Sequence, residues 1–291
     1  MNNKVLILGF GYTAQHLSDL LINHGYSITA TSRDPAKIDA WRHSPINLIP
    51  FSKQAIESTL ETANYLIIST PPNQEGRDPS FLIVREYLKA QTIKPQWIGY
   101  LSATSVYGDH KGGWVNEQSP CKTPQNRGMR RAAVEDNWLS LFNKFNLPIH
   151  IFRLAGIYGP DRNSLTKILN RKNHSIVKKD QVFSRIHVDD ICRALFESMQ
   201  HPTPGEIYNL ADDYPCAPED VDAYAAQLLN HPPLEQIPYE SSNLSPMAKS
   251  FYQQCRRVSN EKFKNQFNFQ FKYPSYKEGL DSIYKKIKSS S

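Results

Sequence analysis

The chain has 291 residues, 40% hydrophobic and 21% charged, which suits a soluble globular protein with room for one large α/β domain plus a lobe, or two modest domains. Its formal charge of +6 is spread without a dense basic stripe among aromatics, so nucleic acid is not an expected partner. No apolar run exceeds strand length, which leaves no membrane-spanning helix.

The stretch from Lys4 to Phe10 is too short for a signal peptide, and its glycine serves a turn. Cys121, Cys192, Cys216 and Cys255 lack C-x-x-C spacing, pointing to reduced thiols and a cytoplasmic location. The histidines form no metal-ligand spacing, so no metal site is expected.

Lys4–Leu8 reads as a short buried strand running into Gly9-Phe10-Gly11-Tyr12-Thr13-Ala14. Gly9 permits a tight turn, Gly11 lets the backbone approach a pyrophosphate, and Ala14 is small enough for helix-on-strand packing. The next helix buries Leu17, Leu20 and Leu21, and its N-terminus offers amides to phosphates. A second strand, Ser27–Thr31, ends at Ser32-Arg33, where NAD-preferring sites place a carboxylate for the ribose hydroxyl. A guanidinium there suits a 2′-phosphate; outside this frame Arg33 would read as an ordinary loop arginine. The expected cofactor is NADP(H) in preference to NAD(H).

Further strands are expected at Ile46–Ile49, Asn64–Ser69, Gln96–Ser102 and Pro148–Leu154, with helices near Pro79–Ala90 and Arg130–Phe145. This alternation predicts an α/β, Rossmann-type, doubly wound parallel sheet whose ligand lies at the carboxyl ends of the strands. Past residue 155, His201-Pro202-Thr203-Pro204-Gly205 and His231-Pro232-Pro233 punctuate shorter elements. The division expected is a nucleotide-binding domain over 1–160, with 182–211 returning to it, and a smaller C-terminal substrate lobe from 161–181 and 212–291.

Six segments resemble the extended short-chain dehydrogenase/reductases, the NAD-dependent epimerase/dehydratase group. They are Leu101-Ser102-Ala103-Thr104-Ser105-Val106-Tyr107-Gly108, Arg153-Leu154-Ala155-Gly156-Ile157-Tyr158-Gly159-Pro160, Arg185-Ile186-His187-Val188-Asp189-Asp190, Gly205 to Ala211, Arg257 to Lys262, and Tyr273 to Leu280. The resemblance implies a Tyr-x-x-x-Lys pair on a helix plus a Ser or Thr at the preceding strand end, moving a proton while the nicotinamide moves a hydride. Registering on Val134-Glu135 puts Arg131 at the lysine position and Arg127, or Gly128, at the tyrosine position; no tyrosine occurs between Gly108 and Ile157. The family's Ser/Thr falls on Ala103, flanked by Ser102 and Thr104. Thr104-Ser105 stands where dehydratases carry Asp-Glu, which disfavours elimination chemistry.

The resemblance makes Arg131 a ligand of the nicotinamide ribose, although a guanidinium stays protonated and serves as no base. It also places Ala155-Gly156-Ile157 on the nicotinamide side and Thr70-Pro71-Pro72 on another edge of the cofactor cleft. The catalytic candidates are Ser102, Thr104, Tyr107 and Arg131. Tyr107 and Tyr158 read first as anchored aromatics whose hydroxyls find a backbone partner, and His187, Asp189 and Asp190 as helix-start residues. Arg153, ending a buried strand, should meet a carboxylate or a substrate anion. His110 is a proton donor by residue type or a solvated loop histidine, and Arg127 and Arg130 are anion ligands or a solvated helix face. The expected activity is an atypical NADP(H)-dependent oxidoreductase acting on a carbonyl, hydroxyl or sugar-nucleotide-like small molecule. The rival is a non-catalytic NADP(H)-binding redox sensor or regulator.

Overall fold

The computed structural model describes residues 3–90, 94–121, 123, 126–171 and 173–289. It divides into two units, one of Met1–Val106, Gln125–Arg153 and Ile191–Tyr208, the other of Tyr107–Pro124, Leu154–Asp190 and Asn209–Ser291.

The chain opens with β1 (Lys4–Leu8), α1 (Tyr12–Asn23), β2 (Ser27–Ser32), α2 (Pro35–Ala40), β3 (Asn47–Pro50), α3 (Lys53–Leu60), β4 (Tyr65–Ile68), α4 (Phe81–Ala90) and β5 (Trp97–Ala103). A 3-10 turn at Thr104–Tyr107 leads to β6 (Trp114–Val115), α5 (Asn126–Phe145), β7 (Ile149–Leu154) and β8 (Gly156–Tyr158). There follow α6 (Ser164–Leu169), β9 (His174–Val177), β10 (Arg185–His187), α7 (Val188–Gln200) and β11 (Ile207–Leu210). The chain ends with α8 (Pro218–Leu228), β12 (Glu235–Pro238), α9 (Pro246–Tyr252), β13 (Arg257–Val258), α10 (Glu261–Phe267) and α11 (Tyr276–Ser289).

A seven-stranded sheet in the order β11-β7-β5-β4-β1-β2-β3 forms the frame. The expected strands lie within a residue or two of their predicted bounds, and α5 starts at Asn126, four residues before the predicted Arg130. β1 pairs in parallel with both β2 and β4. Strand order therefore reverses between β1 and β4, opening a crevice at their carboxyl ends. All four residues of β4 are buried, as a parallel strand covered on both faces requires. Leu6, Leu66, Ile68, Ile98 and Tyr100 pack with Ile56 of α3, Val84 of α4, and Val134 and Trp138 of α5. That packing fixes α5 against β5.

The second unit has short parallel pairs, β8 with β10, β9 with β12, and β6 with β13. Its core gathers Tyr158, Leu165, Ile168, Val221, Ala225, Leu280 and Ile283. Buried Asp222 accepts from Ser164 (2.8 Å) and Ser175 (2.6 Å), joining α6, β9 and α8. Asp189 and Asp190 occupy the first turn of α7 as expected. Asp190 has a further use, accepting from the amides of Lys272 and Tyr273 at 2.8 Å each. Among the described residues no helix is long and apolar enough to cross a membrane.

Candidate functional site

The loop after β1 is tied down by β2. Thr31 accepts the Gly9 amide on its hydroxyl (2.9 Å) and the Phe10 amide on its carbonyl (3.0 Å). Gly9 has φ +96, and a Cβ there would lie 3.0–3.1 Å from Thr70 atoms, so the β1 and β4 loops touch at this glycine. Gly11 is the extended N-cap of α1, with no side-chain cap and no carboxylate in the helix's first turn. A Cβ on Gly11 would meet nothing within 4 Å. The first amides of α1, at Tyr12, Thr13 and Ala14, begin at this open corner, where a helix presents its positive end.

Phe10 turns its ring away from this corner, edge-on to Trp41 at 4.8 Å, so only its backbone belongs to the loop. Lys37 of α2 donates to the Phe10 carbonyl at 2.5 Å and lies over the Phe10 ring. At the end of β2, the Ser32 hydroxyl accepts the Asp34 amide (3.1 Å), and Asp34 caps α2 through Ala36 (3.0 Å). That turn leaves Arg33 exposed, with no carboxylate partner among the described residues.

A polar layer lines the ends of β4 and β5 facing α5. Thr70 donates to Asp78 Oδ1 (3.3 Å), Ser80 reaches the same oxygen through both its amide (2.8 Å) and hydroxyl (2.6 Å), and Trp138 donates to Oδ2 (2.8 Å). Pro71 and Pro72 begin the loop that carries Asp78. Ser102 donates to Glu135 Oε1, and Arg153 grips the same carboxylate through Nε and Nη2. Arg131 Nη1 donates to the Leu101 carbonyl at 3.2 Å, holding its guanidinium over the end of β5. Tyr100, fully buried on the same strand face as Ser102, leaves its hydroxyl without a hydrogen-bond partner among the described residues. Burial pushes that phenol up, with the nearby Arg131 charge opposing it. Thr104 is buried just past the strand end.

The remaining candidates lie in the second unit. Tyr107, fully buried, donates to Asn209 Oδ1 at 2.7 Å. Tyr158 donates to the Ser275 carbonyl at 3.2 Å. His110 Nε2 lies 3.2 Å from the Tyr107 carbonyl, which anchors a ring that stays partly exposed. His187 Nδ1 accepts the Asp189 amide at 3.1 Å, orienting the start of α7. Ala155 donates its amide to Leu210 and Gly156 to Ser184, both at 3.0 Å, and Ile157 continues β8 beside Ile186.

The NAD dependent epimerase/dehydratase family model matches residues 82–211. A functionally unknown conserved protein from Silicibacter pomeroyi DSS is 39% identical, covers 98% of this chain and 99% of its own, and superposes with a TM-score of 0.88. The chain belongs to the NAD dependent epimerase/dehydratase family. Protein YeeZ of Escherichia coli (strain K12) is 27% identical over 93% of this chain and 96% of its own length. The dTDP-glucose 4,6-dehydratase of Bacillus anthracis str. Ames, solved in complex with NAD, shares the fold at 17% identity and TM-score 0.82, covering 99% of this chain and 97% of its own.

Of the helix residues singled out in the sequence, Arg131 is the one whose guanidinium reaches the β5 end. Sequence reasoning missed Thr31, Lys37 and Asp78, and used Glu135 only for register. Glu135 could have been found, since a carboxylate on a hydrophobic helix face four residues after Arg131 needs a buried cation, and Arg153 on a buried strand needs an anion. Asp78 carried no such signal, because beyond its own loop its partner is Trp138 of α5, 60 residues on.

Proposed function

We propose that this protein is a cytoplasmic NADP(H)-dependent oxidoreductase acting on a carbonyl or hydroxyl carbon of a small molecule. One observation carries the reading: α1 begins at an extended, uncapped Gly11 with open space at its Cα, at the reversal point of the sheet. Pyrophosphate would sit on the amides of α1, the 2′-phosphate on Arg33 with Ser32 beside it, and the nicotinamide ribose on Arg131. Thr70, Pro71 and Pro72 would border the same cofactor, and Ala155, Gly156 and Ile157 its nicotinamide side. When bound, the nicotinamide supplies or accepts the hydride.

The chain's own residues would bind and polarise. Arg131 would present donors to charge developing on a substrate oxygen, and the Thr104 hydroxyl, just past the strand end, is the candidate proton carrier. Ser102 is committed to Glu135 and acts by holding the strand end rather than by relaying a proton. Tyr107 keeps a catalytic role in this reading only if its hydroxyl leaves Asn209. Residues 161–181 and 212–291 would determine the substrate, for which a sugar-nucleotide-like compound is one class, since structural neighbours include UDP-glucose and UDP-glucuronic acid 4-epimerases.

Ser102's commitment and the two arginines also favour a second reading, a non-catalytic NADP(H)-binding sensor or regulator. Paired titrations with NADPH and NADH, followed by cofactor absorbance against aldehydes, ketones and sugar nucleotides, separate these readings. Tight NADPH binding with turnover supports the enzyme, and tight binding without turnover supports the sensor. Binding of neither cofactor defeats both.

A further inference from the structure

We propose that Arg127 and Arg131 form a site for an anionic group of the substrate, a carboxylate or a phosphate monoester. This rests on the cofactor reading above in assigning the anion to the substrate rather than to the dinucleotide.

Arg127 and Arg131 are four residues apart on α5, so both guanidiniums lie on one helix face. The Arg131 contact to Leu101 places that face at the carboxyl end of β5, the edge of the sheet where ligands of this architecture bind. The buried carboxylates of the layer between β5 and α5 are already spent. Glu135 accepts from Ser102 and Arg153, and Asp78 from Thr70, Ser80 and Trp138. Among the described residues neither Arg127 nor Arg131 pairs with an acid.

Placement makes this costly for the unliganded protein. Arg127, Arg130 and Arg131 crowd the first turns of α5, whose first turn holds no acidic residue, at the positive end of a 20-residue helix. Arg127 is exposed, yet local desolvation, and then the Arg131 charge, push its guanidinium below its ordinary value. The buried Tyr100 hydroxyl near Arg131 is a neutral group and leaves that charge uncompensated. Guanidinium forks match the planar oxygens of carboxylate and the paired oxygens of phosphate, and a bound anion would offset the like-charge repulsion. Arg130 lays its stem over Gly76 and is not part of the fork.

The test uses full-length protein labelled with 15N-arginine, titrated at constant ionic strength with inorganic phosphate or with acetate, with and without saturating NADPH. The Nε–Hε signals of Arg127 and Arg131 should shift saturably with one probe more than the other, which tells phosphate from carboxylate, and the Arg127 shift should persist with NADPH bound, when Arg131 also meets the nicotinamide ribose. Arg127→Gln should weaken that binding about tenfold or more, and Arg127→Lys, which keeps charge without the fork, should fall between. The exposed control Arg42→Gln should change nothing. Absence of saturation, or equal affinity in Arg127→Gln and wild type, overturns the site. Loss of anion binding on adding NADPH overturns its assignment to the substrate. Failure of NADPH to bind, with Arg127-dependent anion binding intact, sinks the cofactor reading and leaves the anion site standing.

Discussion

Arg153 of β7 holds Glu135 of α5 in a doubly hydrogen-bonded ion pair, Nη2 to Oε2 at 2.7 Å and Nε to Oε2 at 3.1 Å, with the side chains only 5% and 2% exposed. The pair joins helix to strand directly beneath Ser102, and neither charge can reach water if its partner is lost. Glu135→Gln and Arg153→Met are each expected to destabilise by about 3–5 kcal/mol, because each strands a buried charge. Glu135→Leu combined with Arg153→Met should recover most of that loss, since no charge then stays buried. Urea unfolding of the four proteins checks this, and single variants as stable as wild type would contradict it.

Gly9 and Gly11 sit two residues apart and should fail in opposite ways. Gly9 adopts φ +96 with Thr70 against its Cα, so Gly9→Ala should cost about 1–3 kcal/mol of stability through backbone strain and contact. Gly11 is extended with nothing within 4 Å of a Cβ, so Gly11→Val should keep the wild-type melting temperature. It should nonetheless lose dinucleotide binding, because the side chain fills the space a pyrophosphate needs. Thermal melts and NADPH titrations of both variants decide; a Gly11→Val protein that still binds would count against the phosphate loop.

The strand–glycine–helix start of the chain was legible because local rules act there on neighbouring residues. Strand bounds and the turn at Gly9 follow from periodicity and glycine chemistry. The same holds for Arg33, whose position depends on a turn two residues long. What stayed hidden is the layer between β5 and α5. Asp78 meets Trp138 across 60 positions, and Ser102 meets Glu135 across 33. Such pairs are set by how α5 docks on the sheet, which no local pattern encodes. Tyr107 shows the same limit: its Tyr-Gly turn was visible, but its Asn209 partner lies 102 residues on.

Arg33 is exposed just past β2, while its neighbours Ser32 and Asp34 are occupied in starting α2. Its charge is therefore available to a ligand. Arg33→Asp should weaken NADPH binding about 10- to 100-fold through loss of charge-assisted hydrogen bonds and added repulsion, with NADH affected far less. Equal losses for the two cofactors in paired titrations would remove Arg33 from the 2′-phosphate role.

His150 of β7 gives the first unit an acid-sensitive point. Its ring is fully buried and stacked on Trp97, with Nδ1 3.3 Å from the Ile98 carbonyl and Nε2 accepting the Thr203 amide at 2.9 Å. These partners define a neutral ring protonated on Nδ1, since the Thr203 amide needs a lone pair at Nε2. Burial pushes the imidazole down to about 4, against the pull of nearby carbonyls. An unfolded chain takes up this proton below about pH 6.5, whereas the native chain does so only below about pH 4, so acidification across that window favours unfolding. The contribution lost between neutral pH and pH 4 amounts to about 3 kcal/mol. His150→Gln keeps an acceptor for Thr203 and removes the titration. Wild type should therefore lose stability more steeply than this variant from pH 6.5 to 4 in urea unfolding. Parallel pH profiles would show that the ring is protonated in the native state without penalty.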